Sequence, residues 1–165
     1  MEWLSPAQLT GYLAFALGVA CFLQKRDLPF KLFMAGECLV YTLHFGLLGE
    51  PTAVASSLVS LGRSLASIRS RSPWVAAFFV GLSAALGAVF YQGPASLLPI
   101  AASCIGTSAL FLLQGLRMRL AMMAGTLLWV VNNLLVGSIG GTLLELTIAV
   151  VNSVTIWRLW RQARD

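Results

Sequence analysis

Charged residues are scarce in this chain of 165 residues: 10% are Asp, Glu, Lys or Arg, whereas 58% are hydrophobic. Soluble globular proteins carry about 25% charged and about 45–50% apolar residues. A soluble domain of this length has too little interior to cover so much apolar surface. The composition therefore predicts a polytopic membrane protein whose main partner is the lipid bilayer.

Sequence motifs that bind metals or nucleotides, or that carry out hydrolysis, are also missing. Cys21, Cys38 and Cys104 lie in apolar runs without CxxC or Cys/His spacing, so we expect them to pack as small hydrophobic side chains. No HExxH, GxSxG or Walker sequence occurs. Residues 1–10 contain no basic segment, so a cleavable signal peptide is not expected. We therefore expect no metal, no cofactor and no enzymatic activity.

The net charge of +5 comes from cations that are confined to a few places. Of the eleven Lys and Arg residues, all except Arg63 lie after the first, third or fifth apolar run or near the C-terminus. Short basic segments between apolar runs are typical of cytoplasmic loops, so a nucleic-acid partner is not expected. These residues are Lys25, Arg26, Lys31, Arg69, Arg71, Arg117, Arg119, Arg158, Arg161 and Arg164.

Division of the sequence at charges, prolines and glycines predicts seven membrane-spanning helices, because a span needs about 20 mostly apolar residues. The predicted spans are residues 6–23, 32–48, 52–68, 74–91, 95–113, 121–136 and 142–159. The glycine-rich run Gly137–Gly141 is predicted to be the last turn. With seven spans all basic segments share one side, which predicts an N-terminus outside the cytoplasm (periplasmic, if the membrane is a bacterial inner membrane) and a cytoplasmic C-terminus. The expected fold class is all-α, a single transmembrane domain over residues 1–165.

The first three predicted helices resemble the last three. Gln24 and Gln114 each precede basic residues, and Gly49 and Gly137 each close the following helix after a Leu-Leu or Leu-Val pair. One linker helix between two three-helix units gives both units the same orientation, so the repeats are parallel. We expect repeat 1 at about 6–68, the linker at about 74–91 and repeat 2 at about 95–159. This 3+1+3 plan is similar to that of the SWEET sugar facilitators and the PnuC vitamin transporters.

A more specific set of sequence features extends over nearly the whole chain. It comprises His44–Phe45, Leu47–Gly49, Arg63, Arg71–Ser72 before Trp74, Leu98–Pro99, Met118–Arg119, Gly137–Thr142 with Glu145, Asn152, and Arg158 with Trp160–Arg161. Together these features resemble the YgjV family of bacterial inner-membrane proteins. The run Gly-Ser-Ile-Gly-Gly-Thr is the most distinctive part. The resemblance implies a location in the bacterial inner membrane and implies no activity.

Ionisable residues inside predicted spans indicate functional positions, because their burial in a bilayer is costly. Glu37 and Arg63 lie at similar depths on adjacent antiparallel helices, near the basic side. We predict that they form an ion pair at a cytoplasm-facing gate. Two structural alternatives remain open: Arg63 extends to the membrane surface, and Glu37 is protonated or faces water.

A second polar layer lies nearer the opposite side. Helical spacing directs its members towards a cavity between the repeats, where we predict substrate binding. Each member has a structural alternative: the imidazole and the amides join helices by hydrogen bonds, and the tryptophan packs. The adjacent asparagines point about 100° apart, so one is expected to join helices while the other faces the cavity. The members are His44, Trp129, Asn132, Asn133, Glu145 and Asn152.

These features predict a facilitator or secondary transporter of a small polar solute, which would cross through a cavity between the repeats. Two other classes remain open. One is a non-transporting sensor or assembly partner, and the other is an intramembrane enzyme that uses Glu37, His44 and Glu145 for acid–base chemistry. Proton coupling through the same three residues, and self-association into a homo-oligomer, are also left open by the sequence.

Overall fold

The computed structural model describes residues 4–22, 27–70, 72–113 and 115–162. Over these residues the chain forms seven α-helices and no strand, which confirms the all-α fold class. The helices are α1 (Pro6–Phe22), α2 (Asp27–Leu47), α3 (Pro51–Arg69), α4 (Pro73–Val89), α5 (Leu97–Leu112), α6 (Gly115–Leu135) and α7 (Ile139–Gln162). Six residues used in the sequence predictions lie outside the described residues: Gln24, Lys25, Arg26, Arg71, Gln114 and Arg164.

Three helical segments are long and apolar enough to cross a membrane: Pro94–Leu112, Gly115–Leu135 and Ile139–Gln162. The apolar helical segments Pro6–Cys21, Leu32–Leu47 and Pro73–Val89 are shorter. The remaining helix, α3, contains Arg63 and five serines, which lower its hydropathy. The structure therefore agrees with the predicted number of helices, while seven membrane spans remain a prediction.

Helix α7 begins earlier than the glycine-rich run suggested. Residues 137–141 were predicted as a turn, but Gly140 and Gly141 belong to the first turn of α7, so that part of the prediction is wrong. Ser138 caps the helix, since its Oγ accepts a hydrogen bond from the Gly141 N–H at 3.1 Å. Only Gly137 within the run has a positive φ, of 71°. The next two glycines therefore serve helix packing rather than chain reversal.

Two other helices also extend beyond their predicted starts. Helix α2 begins at Asp27 rather than near residue 32, and α6 begins at Gly115 rather than near residue 121. Arg117 and Arg119 thus lie in the first turns of α6 instead of in a loop. Lys and Arg are good helix formers, and charges are tolerated at the ends of membrane helices. Division of the sequence at charges consequently made both helices too short.

The helices pack in a closed ring. Within the first three-helix unit α2 packs on α1 and α3, and within the second unit α6 packs on α5 and α7. Between the units, α1 packs on α7 and α3 packs on α5. Helix α4 contacts α3 and α5, and thereby bridges the two units on one side of the ring. The order around the ring is α1, α2, α3, α5, α6, α7.

Two contacts bring the units together at close range. Helices α1 and α7 touch through their backbones, because a Cβ added at Gly140 would overlap the carbonyl group of Gly11. Small residues permit such close approach between membrane helices. In the interior of the helix ring, the buried phenyl group of Phe45 stacks on Tyr41, with 5.3 Å between the centroids, and on Trp129, with 5.6 Å between the centroids. This aromatic stack joins α2 to α6 and fills the interior on the side of the α2–α3 and α6–α7 turns.

Candidate functional site

A cavity of about 160 Å³ lies inside the ring, next to the aromatic stack. Its walls come from α1, α2 and α3 of the first unit and from α6 and α7 of the second. The lining residues are Cys21, Met34, Glu37, Cys38, Tyr41, Ser57, Ser60, Arg63, Trp129, Glu145 and Ile148. Two carboxyl groups and one guanidinium therefore meet in an interior that is otherwise built from apolar and small residues.

The two carboxyl groups come from different units. Glu37 is half-buried on α2, and Glu145, on α7, is 8% exposed. The Thr126 side chain of α6 is the polar neighbour of the Glu145 carboxyl group. A buried carboxylate is costly unless a cation or hydrogen-bond donors compensate its charge. The pair is thus suited to attract a cation or to hold a proton.

Arg63 is held by α5 rather than by Glu37. Its Nη1 donates to Thr107 Oγ1 at 3.1 Å and to the Ser103 carbonyl oxygen at 3.3 Å. Gly106 makes room for this contact, because a Cβ there would lie 3.0 Å from Nη1. Both residues of the predicted ion pair line the cavity, yet no ion pair joins them among the described residues. Arg63 therefore links α3 to α5 across the boundary between the two units.

Aromatic rings form one wall of the cavity. Trp129, which the sequence predicted as a substrate-binding residue, lines the cavity and also stacks on Phe45. Tyr41 lies beside them, and its side chain is 8% exposed. The Tyr41 hydroxyl group is buried and has no hydrogen-bond partner among the described residues. This wall therefore combines π faces with one unsatisfied hydroxyl group.

His44 lies outside the cavity, in a hydrogen-bonded joint between the units. The fully buried ring contacts the Ala7 carbonyl oxygen through Nδ1 at 2.6 Å and Ser138 Oγ through Nε2 at 2.7 Å. A carbonyl only accepts hydrogen bonds, so Nδ1 carries a proton and donates. A neutral ring then accepts the Ser138 O–H at Nε2, while Ser138 Oγ accepts the Gly141 N–H. The geometry agrees with the structural interpretation of His44.

Gln8 strengthens the same joint. Its Nε2 donates to the Gly137 carbonyl oxygen at 2.8 Å, and its Oε1 accepts the Ile139 N–H at 3.2 Å. One amide of α1 thus satisfies two backbone groups of the α6–α7 turn. Together with the contact between Gly11 and Gly140, these hydrogen bonds fix the start of α1 against the start of α7. We call this group of contacts the α1–α7 joint.

The three asparagines do not line the cavity. Asn152 Nδ2 donates to the Arg119 carbonyl oxygen at 2.9 Å, which joins α7 to α6 within the second unit. Asn133 is 1% exposed, and its Oδ1 faces Gly141, since a Cβ there would lie 2.7 Å from it. Asn132 is also buried, and its Nδ2 has no partner among the described residues. Of the predicted substrate-binding residues, Glu145 and Trp129 lie at the cavity.

A larger depression of about 600 Å³ lies between α3 and α4, at the α2–α3 turn. Leu58, Leu86 and Phe90 are among its walls, and Glu50 is its one ionisable residue. It is remote from the carboxyl groups and the guanidinium of the interior. It is therefore not the candidate site.

Comparison with known proteins agrees with the membrane character of this architecture. A family model described as Imp-YgjV, bacterial inner membrane protein, matches residues 5–163. The chain belongs to this family. It is 37% identical over 162 residues to the inner membrane protein YgjV of Escherichia coli (strain K12), across 98% of this chain and 87% of that protein. No solved structure matches it.

Membership of the Imp-YgjV family confirms the resemblance inferred from the sequence, and with it a location in the bacterial inner membrane. The similarity of plan to the SWEET and PnuC transporters remains a prediction, as does the orientation of the termini. The family description names a membrane and gives no activity. The feature of this family member that bears on its function is therefore the cavity.

Sequence reasoning missed several residues of the site in this Imp-YgjV protein. Tyr41 lies four residues after Glu37, which places both on one face of α2. Ser57 and Ser60 are three residues apart on α3 and share the face that lines the cavity. These spacings were present in the sequence, but candidate residues were chosen by charge, and hydroxyl-bearing side chains are uncharged. The contacts of Gln8 could not be predicted from the sequence, because its partners are backbone groups of a distant turn.

Proposed function

We propose that this protein is a facilitator or secondary transporter of a small polar solute, which crosses the inner membrane through the cavity between the two units. The observation that carries the proposal is the composition of that cavity: two carboxyl groups and one guanidinium, contributed by both units, inside a ring of apolar helices. Ionisable residues that face the interior of a helix bundle indicate solute or ion pathways.

The packing of the helices supports a parallel repeat. The middle helix of each unit packs on both of its neighbours, and the contact of α1 with α7 is matched by that of α5 with α3. A two-fold axis along the membrane normal would exchange these two contacts. Gly49 and Gly137 close equivalent helices with φ angles of 75° and 71°. Transporters with such repeats bind their solutes at the interface between the repeats.

The ends of the cavity differ, as alternating access requires. The α1–α7 joint closes one end. Cys21, which lines the cavity, lies fourteen residues along α1 from Ala7, or about 21 Å at 1.5 Å per residue. Phe45, the residue after His44 on α2, stacks on Trp129, which lines the cavity. A solute that crosses would therefore require two alternating movements. In one, the α1–α7 joint and the aromatic stack separate; in the other, the opposite end of the cavity opens.

Uptake into proteoliposomes tests the proposal. The purified protein is reconstituted and presented with cationic, neutral and anionic solutes that have about six non-hydrogen atoms, to match a cavity of this volume. Empty liposomes and liposomes with an unrelated carrier serve as controls. We expect saturable uptake of at least one solute above empty liposomes. Absence of uptake for every solute, with a stoichiometric partner that co-purifies, would favour the sensor or assembly alternative instead.

A further inference from the structure

The cavity is small enough to restrict the ligand. Its volume of about 160 Å³ is close to that of an engineered apolar cavity of about 150 Å³ in another protein, which binds benzene. Pockets for drug-sized ligands are larger, about 300–1,000 Å³. A hexose has about twice as many non-hydrogen atoms as benzene, so it does not fit this cavity. The ligand therefore has about six non-hydrogen atoms.

With its two carboxyl groups ionised, the cavity favours a cation. Arg63 directs its Nη1 hydrogen bonds to α5, and no described cation pairs with Glu37 or Glu145. When both carboxyl groups are ionised, the cavity has an excess of one negative charge. An anionic ligand would add a third negative charge, and a neutral ligand would leave the excess uncompensated. A bound cation reduces the cost of burying these carboxylates.

The remaining polar and aromatic groups match the same ligand. The Tyr41 hydroxyl group is buried without a partner and has lone pairs that accept N–H bonds. The rings of Trp129 and Tyr41 line the cavity, and aromatic faces attract cations within about 6 Å. Among the described residues, no three His, Cys, Asp or Glu side chains are grouped so that they could hold a metal ion. An organic cation therefore fits better than a metal ion.

From this juxtaposition we infer that the cavity binds a small N–H-bearing organic cation, an alkylammonium or guanidinium ion. The Glu145 and Glu37 carboxylates accept its N–H bonds, and the Tyr41 hydroxyl accepts another. Trp129 contacts it with a ring face. The inference rests on the proposed function in one respect: it names the class of solute that the transporter would carry. Binding itself does not require transport.

Equilibrium dialysis of the purified protein in detergent tests the inference with radiolabelled butylammonium and methylguanidinium, which have as many non-hydrogen atoms as the propionamide and propionate controls. We expect saturable binding of one ion per chain, displaced by the unlabelled cation and not by propionamide or propionate. Glu145→Gln and Glu37→Gln should each weaken binding about tenfold or more, equivalent to at least 1.4 kcal/mol. Gly81→Ala, which alters an open position on α4, should bind as the wild type does.

A second readout locates the ligand and does not depend on the variants. Cys38 lines the cavity, whereas Cys104 lies outside it, with its Sγ 3.9 Å from the Val80 carbonyl oxygen. Butylammonium should slow the modification of Cys38 by methyl methanethiosulfonate, a thiol reagent with six non-hydrogen atoms, at least fivefold and leave that of Cys104 unchanged. Equal protection by propionamide or propionate would overturn the inference, as would the absence of saturable cation binding in dialysis.

The outcomes also separate this inference from the proposed function. Saturable cation binding without uptake in proteoliposomes would retain the site and refute transport. Uptake of neutral or anionic solutes, with no cation binding, would retain transport and refute the cationic site. Binding that persists unchanged in both Glu→Gln variants would place the cation elsewhere and overturn the assignment of these carboxylates.

Discussion

Gly140→Ala adds a single methyl group, and the structure predicts a large loss of stability for so small a change. The added Cβ would overlap the Gly11 carbonyl group and lie 2.7 Å from the Tyr12 backbone nitrogen. Both obstacles are backbone atoms, so no change of rotamer relieves the overlap. Helices α1 and α7 must move apart, which also strains the hydrogen bonds of Gln8 to the α6–α7 turn.

The expected loss can be estimated from the cost of overpacking, about 1–3 kcal/mol. For a protein of this length, that loss corresponds to a decrease of about 2–12 °C in melting temperature. Thermal unfolding of the purified protein in detergent measures it. Gly81→Ala is the matched control, because nothing lies within 4 Å of a Cβ at that position. Alanine is the better helix former, so the control should melt at the wild-type temperature or above.

The result that would refute this reasoning is a Gly140→Ala protein that melts together with the wild type and the control. Helices α1 and α7 would then not touch through their backbones, and the ring would not be closed as described. Gly11→Ala perturbs a different contact of α1, because its Cβ would meet His44 of α2 rather than α7. That Cβ would lie 2.9 Å from His44 Cε1, and the two hydrogen bonds of the buried ring oppose a shift of this side chain. Gly11→Ala should therefore also lower the melting temperature, but by less than Gly140→Ala, whose Cβ meets backbone atoms.

Three further predictions concern the α1–α7 joint, the Asn152 side chain and the turns between the helices. His44→Ala removes two buried hydrogen bonds and leaves the Ser138 hydroxyl group without an acceptor, while the Ala7 carbonyl oxygen keeps the Thr10 hydroxyl group as a donor. Stability should therefore fall by about 1–3 kcal/mol, measured by thermal unfolding. Asn152→Ala removes one bond within the second unit and should cost about 1 kcal/mol, with uptake unchanged. Reporter domains inserted at Gly49, Gly93 and Gly137 should all report the periplasm. A mixture of periplasmic and cytoplasmic signals would contradict seven spans, and three cytoplasmic signals would contradict the predicted orientation.

Much of the fold was predictable because each apolar run is bounded by charges, prolines or glycines. Hydropathy gave the number of helices, whereas helix ends depend on caps and on interfacial charges. The start of α7 illustrates this: its cap is the hydroxyl group of Ser138, and of the two glycines after it Gly140 faces α1 and Gly141 faces Asn133 of α6. A run of glycines is typical of a turn and also of a close helix crossing, so composition alone did not separate the two.

The candidate site was predictable mainly at its charged residues, with Trp129 as the one uncharged residue that was also predicted there. Glu37, Arg63 and Glu145 are rare ionisable residues in apolar helices, and all three lie at the cavity. The amides are different, because their role depends on the rotation of each helix about its axis. Asn152 meets a backbone carbonyl group of α6 instead of the cavity, and the spacing of residues along α7 contains no information about that neighbour.

The most direct test of transport through this cavity is to obstruct it. Ser60→Trp places an indole in the cavity wall on α3, whereas Ser153→Trp makes the same change at an exposed position on α7. Both proteins are reconstituted after their thermal unfolding shows that they are folded, and the uptake of the solute that the wild type carries is measured. We predict that uptake is abolished in Ser60→Trp and retained in Ser153→Trp. Equal uptake by the two variants would contradict passage through the cavity.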